Sequence, residues 1–223
     1  MGYTIVIYSL LSFLLLFLSA NISYKLKLVD IPNKRKNHID ATAFTGGIAI
    51  SIAFISSFLI FNTTNDNLNL ILSMGFLMSI IGLIDDKFHL NVGGKLSLQI
   101  FPIFYLIIFE NLALTQLGDY YYFKLDVNSF SIPFTIICSI FLINAFNYFD
   151  GTDGTLGITS ISVLGILYFL ISDQEFQLFL LIVLIPICIF LFFNFSFLKL
   201  PKMFLGDSGS LLLGFIVSFF FFF

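Results

Sequence analysis

Phe176-Gln-Leu-Phe-Leu-Leu-Ile-Val-Leu-Ile-Pro-Ile-Cys-Ile-Phe-Leu-Phe-Phe193 contains one amide side chain and no charge. A membrane-spanning β-strand alternates apolar and polar positions over roughly ten residues, and this stretch does not alternate. Its length suits the roughly 20 apolar residues with which a helix crosses a bilayer core. Further apolar runs lie near 3–23, 46–61, 68–84, 96–113, 131–147, 155–172 and 208–223. The composition agrees, with 59% hydrophobic residues, 10% charged residues and a mean hydropathy of +1.04. A soluble domain carries roughly 25% charged residues, so a soluble globular class is excluded. The expected fold is all-α, a polytopic membrane bundle of about eight helices forming one domain over residues 1–223. Tyr120 to Phe130 carries two short polar-aromatic runs that suggest a small extracytoplasmic β-hairpin near 119–130, with tyrosines as interface anchors.

Charge sets the expected orientation. The loops after the first, third, fifth and seventh runs hold Lys25, Lys27, Lys34, Arg35, Lys36, Lys87, Lys95, Lys199 and Lys202, and only Lys124 lies on the other side. Basic residues mark the cytoplasmic side of a membrane protein, so that face is read as cytoplasmic and the protein as a multi-pass protein of the plasma or inner membrane. Cys138 and Cys188 fall inside apolar runs, which argues against a disulfide framework.

Three acidic clusters interrupt the apolar chain, and span parity puts all of them on that basic face. They are Gly82-Leu-Ile-Asp85-Asp86, Asn144-Ala-Phe-Asn147-Tyr-Phe-Asp150-Gly-Thr-Asp153-Gly154 and Phe204-Leu-Gly-Asp207-Ser-Gly209. Carboxylates beside hydrocarbon are costly and mark functional sites. Asp85 and Asp86 repel each other unless a cation or proton relieves them, which suits a metal partner or a general base, although an acidic loop needs neither. Asn144, Asn147, Asp150 and Asp153 recur every third residue, one stripe if the helix continues, with chemistry suited to sugars, nucleobases and metal-bound water. Asp207 reads either as the cap of the last helix or as a metal ligand beside a Gly-rich, phosphate-cradling helix N-terminus. The basic loop from Val29 to His38, ending at Gly46-Gly47, is a membrane anchor or a phosphate grip.

In this order, these residues resemble the polyprenyl-phosphate N-acetylhexosamine-1-phosphate transferases (glycosyltransferase family 4). The resemblance runs from Val29 to Phe215 and is closer to the UDP-GlcNAc:undecaprenyl-phosphate branch than to the related phospho-MurNAc-pentapeptide transferases. It implies transfer of a sugar-1-phosphate from a UDP-sugar to polyprenyl phosphate with release of UMP. It makes Asp85 and Asp86 the catalytic pair. Lys36, His38, Asn147, Asp150 and Asp153 become substrate-binding residues, and Asp207 and Asp150 become ligands of Mg²⁺, with Mn²⁺ as a substitute. The implied partners are the donor, the lipid acceptor and membrane lipid, without nucleic acid. A homodimer is left open.

The chain departs from the family pattern at Ala43, where Pro is usual, and at Thr155, where Leu is usual. Family members also run longer and carry a late loop with His and Arg. The expectation is therefore a C-terminally truncated domain with little activity alone, its eighth span lacking neighbours on one side and Phe219 to Phe223 facing lipid or frayed. The alternative from another class, a cation transporter, is disfavoured because transporters place their acids near the bilayer midplane.

Overall fold

The computed structural model describes residues 2–31, 41–61 and 65–222. Eight helices follow the apolar runs: α1 (Gly2–Leu26), α2 (Gly46–Phe61), α3 (Asp66–Phe88), α4 (Val92–Phe109), α5 (Ser131–Phe149), α6 (Thr155–Leu170), α7 (Gln174–Asn194) and α8 (Gly206–Phe222). In hydrocarbon every backbone N–H and C=O must be satisfied within the chain, and a helix satisfies them locally. Polar caps fix the boundaries. The side chains of Asn65, Asn91 and Asp173 accept from the amides of Leu68, Gly94 and Phe176. His89, at φ 51°, turns the chain out of α3.

Five helices, α1, α3, α4, α5 with its preceding turn, and α7, are long and apolar enough to cross a membrane. The other three are shorter apolar helices. The chain is a membrane-embedded helical bundle.

Helix α4 starts four residues before the apolar run suggested. Asn91 caps it early, and Gly93-Gly94-Lys95 lies in its first turn. The hairpin is real but also begins earlier, pairing β3 (Gln116–Tyr120) with β4 (Phe123–Asp126) in antiparallel fashion. It lies at the opposite end of the bundle from the acidic clusters. A second small ribbon, β1 (Val29–Asp30) against β2 (Thr42–Ala43), stands at the acidic end.

The largest difference from expectation concerns α8, which is the hub of the bundle. Every residue from Ser208 to Phe220 is buried, with α2, α3, α5 and α6 packed around it. Phe219 and Phe220, expected at the lipid face, lie inside, and Phe220 meets the ring edges of Phe176 and Phe179 at 5.4 and 5.5 Å. The sequence could not separate a lipid-facing Phe run from a core one, because both are apolar all round.

Close backbone approach holds the hub at its acidic end. The amides of Gly46 and Gly47 donate to the carbonyls of Phe204 and Leu205, and the amide of Phe204 donates to the carbonyl of Ala43 at 2.7 Å. A Cβ on Gly47 would overlap the backbone of Ser208 and Gly209. Neither neighbour is a side-chain end that could swing aside, so the start of α2 and the start of α8 touch through glycine alone. Gly47→Ala should therefore destabilise the bundle by about 1–3 kcal/mol, the usual cost of overpacking. A detergent melting curve matching the parent's would show that the α2–α8 crossing can open without loss.

Candidate functional site

The ends of α3, α5 and α7 and the starts of α2, α4, α6 and α8 meet at one face, as span parity requires. They enclose a cavity of about 870 Å³. Asp30, Asp85, Asp86, Asp150, Asp153 and Asp207 line it, with His89 and Lys202 among the basic groups. Carboxylates from four separate segments thus share one solvent-reachable space.

The two adjacent aspartates have different partners. Asp85 is buried and accepts from Lys95 Nζ at 2.6 Å and from the amide of Leu90 at 2.9 Å. Asp86 points the other way, its two oxygens accepting from the amides of Asp207 at 3.0 Å and Ser208 at 3.3 Å. Asp85 is thus compensated by an ammonium, while Asp86 is met by backbone amides. Asp86 is the anionic cap of α8, set against unsatisfied amides and the positive end of the helix dipole. Gly206, at φ 72°, brings the chain into that cap, and a side chain there would strike the carbonyl of Phe44 and Asp86 Oδ2.

This corrects the reading of Asp207 as the cap of α8, and the amides of Asp207 and Ser208 are not free to cradle a phosphate, because Asp86 already occupies them. The Asp207 side chain instead points sideways. It accepts from Lys95 Nζ at 2.9 Å and from Asn147 Nδ2 at 2.8 Å. Asn147 also donates to Ser210 Oγ at 2.7 Å and accepts from Lys95 at 3.0 Å. Asp85, Lys95, Asn147 and Asp207 therefore form one hydrogen-bonded knot joining α3, α4, α5 and α8.

The every-third-residue stripe is real only in part. Helix α5 stops at Phe149, so Asn144 and Asn147 share a helix but Asp150 and Asp153 do not continue it. Asn144 lies deeper and donates to Gln99 Oε1 and the carbonyl of Ile140. Asp150 follows the last turn and faces the cavity. Asp153 sits at the rim, paired with Lys202 at 2.6 Å. Lys202 also lies over the ring of Phe204. Lys36 and His38 fall outside the described residues.

Two contributors escaped the sequence reading. Lys95 counted only as a basic loop residue, yet its side chain is 14% exposed and carries three of the knot's contacts. Its position one turn into α4, on the same membrane side as the acids, was the available signal. Asn194, at the end of α7, is 4% exposed and lines the cavity. Its Nδ2 donates to the carbonyl of Met203, while its Oδ1 has no partner among the described residues. An orphan acceptor beside a cavity offers itself to a ligand N–H or O–H.

Among the described residues no three His, Cys, Asp or Glu side chains stand close enough to hold a metal ion by themselves. That arrangement still suits Mg²⁺, which keeps waters and takes one or two carboxylates plus substrate phosphate oxygens. The surplus of carboxylates around the cavity favours a divalent cation over a second anion.

Fold and site together define a membrane-embedded helical bundle with a polyacidic, cation-compensated cavity at one end. The chain belongs to glycosyl transferase family 4, whose pattern matches residues 67–222, from α3 to α8. It is 29% identical over 211 residues to a Yersinia pestis protein named undecaprenyl-phosphate alpha-N-acetylglucosaminyl 1-phosphate transferase, covering 92% of this chain and 58% of that one. It is 28% identical over 209 residues to the protein of the same name from Escherichia coli (strain K12), covering 92% and 57%. The chain thus spans under three fifths of the length of these relatives.

Asp150 gives the site a pH signature. Burial, then the negative charges of Asp207 and Asp153, push its carboxyl up to about 7. An unfolded aspartate titrates near about 3.9, so the folded chain binds this proton more tightly than the unfolded one. The resulting stabilisation is complete below about pH 4 and is lost as pH rises through about 7. Asp150→Asn, neutral throughout, should flatten the decline in Tm between about pH 5 and pH 8. Equal pH slopes in parent and variant would mean that Asp150 is already ionised at neutral pH.

Proposed function

We propose that this site transfers a sugar-1-phosphate, N-acetylglucosamine-1-phosphate, from a UDP-sugar to undecaprenyl or another polyprenyl phosphate, as a step that starts a cell-envelope polysaccharide. The observation that carries the reading is the gathering of Asp85, Asp86, Asp150 and Asp207 around one cavity, with Asn147 bonded to Asp207, in a chain of this family. The printed names of the relatives supply the donor and acceptor classes. In the reaction, an oxygen of the lipid phosphate attacks the sugar-bearing phosphorus of the donor. The bond between that phosphorus and the oxygen bridging to the uridine-bearing phosphate breaks. A lipid-pyrophosphate sugar forms, and UMP leaves with the electron pair.

The residues divide the work. Asp207 and Asp150 would hold Mg²⁺, or Mn²⁺ in its place, which when bound neutralises charge on the donor's phosphates. Asp86 fixes the first turn of α8, and so the backbone that carries Asp207. Asp85 stands in the knot with Lys95, where it can accept a proton if the lipid phosphate arrives protonated. Asn147 orients the Asp207 carboxylate through Nδ2. Asn194 Oδ1 is available to a donor N–H or O–H, and Asp153 with Lys202 guards the rim. Lys36 and His38, in the basic loop, complete the donor's charge balance.

The acidic face is assigned to the cytoplasm, where nucleotide sugars are available, on the strength of nine basic residues against one. In a cysteine-free background, single cysteines at Asn91 and Asn128 should react oppositely with a membrane-impermeant thiol reagent on intact cells. Asn128 should be labelled and Asn91 should not, and the reverse pattern would invert the topology.

Protein of the length of these relatives, purified and given UDP-N-acetylglucosamine, polyprenyl phosphate and Mg²⁺, should release UMP only when all three are present. Asp207→Asn should lower kcat/KM by about 100-fold or more, the scale seen when a preorganised charge-stabilising group is lost. Turnover in the Asn variant close to the parent's would remove Asp207 from the machinery.

A further inference from the structure

Lys95 Nζ makes contacts of 2.6 Å to Asp85 Oδ2, 2.9 Å to Asp207 Oδ2 and 3.0 Å to Asn147 Oδ1. An ammonium has three donors, and here each has an oxygen. Two carboxylates and an amide carbonyl are also the hard oxygen donors that Mg²⁺ and Mn²⁺ prefer. The ammonium therefore stands where those three oxygens converge, as a monovalent ion built into the chain. Its mounting permits movement. Lys95 follows Gly93 and Gly94, whose Cβ positions meet nothing within 4 Å except Asn91. Its four-carbon stem rotates freely compared with an arginine fork. Two of its partners, Asp85 and Asp207, open onto the cavity.

We propose that Lys95 is an exchangeable internal counter-ion. In the donor-free site it neutralises Asp85 and Asp207 and keeps a divalent cation off Asp207. When nucleotide diphosphate and cation arrive together, the ammonium leaves Asp207, and the anionic donor compensates it. The two ligands consequently bind with positive coupling, and Lys95 is the element through which they are coupled. This rests on the reading above that a divalent cation and a nucleoside-diphosphate sugar share the cavity.

The physical argument is one of charge. Asp85 and Asp207 lie with Asp86 and Asp150 around one partly buried space, and leaving them uncompensated would be costly. A permanent ammonium at Asp207 would in turn repel any cation placed beside it. Both requirements are met if the ammonium is present in the resting site and displaced in the loaded one. A ligand pair coupled in this way must show reciprocal effects on each other's affinity.

The test is Mn²⁺ binding, followed by electron paramagnetic resonance of the free ion, on the detergent-solubilised chain with and without UDP, corrected for Mn²⁺ bound by UDP itself. The parent is compared with Lys95→Met, Lys95→Gln and Lys95→Arg. Without UDP, the Met and Gln variants should bind Mn²⁺ at least about tenfold more tightly than the parent, while Arg, which keeps the charge, stays within about threefold. In the parent, UDP should tighten Mn²⁺ binding by about tenfold or more, and in Lys95→Met by less than about threefold. Unchanged or weaker Mn²⁺ binding in both neutral variants would overturn the proposal, because a merely structural lysine predicts that sign. So would full UDP coupling in Lys95→Met, and so would loss of the folded bundle in both neutral variants, which would make the ammonium a fixed tie. Absence of Mn²⁺ binding in every protein, with or without UDP, would instead sink the shared-site reading on which the proposal stands.

Discussion

The carboxylate of Asp86 against the first amides of α8 is the interaction on which the site depends. Helix α8 is buried from Ser208 to Phe220 and its first residues are half-buried, so its N-terminal N–H groups need a partner within the protein. A buried helix start without a partner is costly, and an anion is its best partner because hydrogen bonding and dipole act together. The end of α3 supplies that anion at 3.0 and 3.3 Å, which locks the last turn of α3 to the first turn of α8. Asp85, next in the chain, is thereby aimed at Lys95, and Asp207 is aimed at Asn147 and Lys95. One cap orients both of the adjacent functional clusters.

A consequence is that the site's acids are chemically unequal. Asp85 faces an ammonium, Asp86 faces backbone amides, Asp153 faces Lys202 at the rim, and Asp150 faces the cavity with neighbours of its own sign. Equivalent carboxylates could not all stay ionised in one partly buried space. Distributing them among different partners relieves part of that cost, and Asp150, whose neighbours are of its own sign, is pushed towards neutrality.

Much of this was legible in the chain, and the boundary is physical. Eight apolar runs gave eight helices because backbone satisfaction in hydrocarbon depends on local sequence, and the parity of those runs placed the three acidic clusters at one end. Asn147, Asp85 and Asp207 could be singled out because polar residues at the ends of apolar runs are conspicuous. Lys95 was not, since its meaning comes from Asp207, 112 positions later, and from Asn147, 52 positions later. Periodicity carries no record of such pairings. The cap was hidden for the same reason: an Asp preceding a helix suggests a local cap, and nothing local says that an aspartate 121 positions earlier has taken that role. The burial of α8 was equally unreadable, because a helix apolar on every side looks alike in lipid and in protein. Asn194 ends an apolar helix as any polar residue does, and only the cavity beside it gives its orphan oxygen significance.

Helices α2 and α6 both begin at the cavity, and both have 16 residues. At 1.5 Å per residue each rises about 24 Å, whereas a bilayer's hydrocarbon is about 30 Å thick. Helix α1, with 25 residues, can cover the full thickness and packs against α2. If the far ends of these helices share one level at the opposite membrane surface, the short walls would set the cavity floor a few ångströms below the level where hydrocarbon gives way to head groups. A soluble molecule must descend to reach that floor, while an amphiphile needs only to drift sideways, its chain still dissolved and its head already at the right depth. The lengths of two unremarkable helices would then set the height at which water-borne and lipid-borne groups can meet.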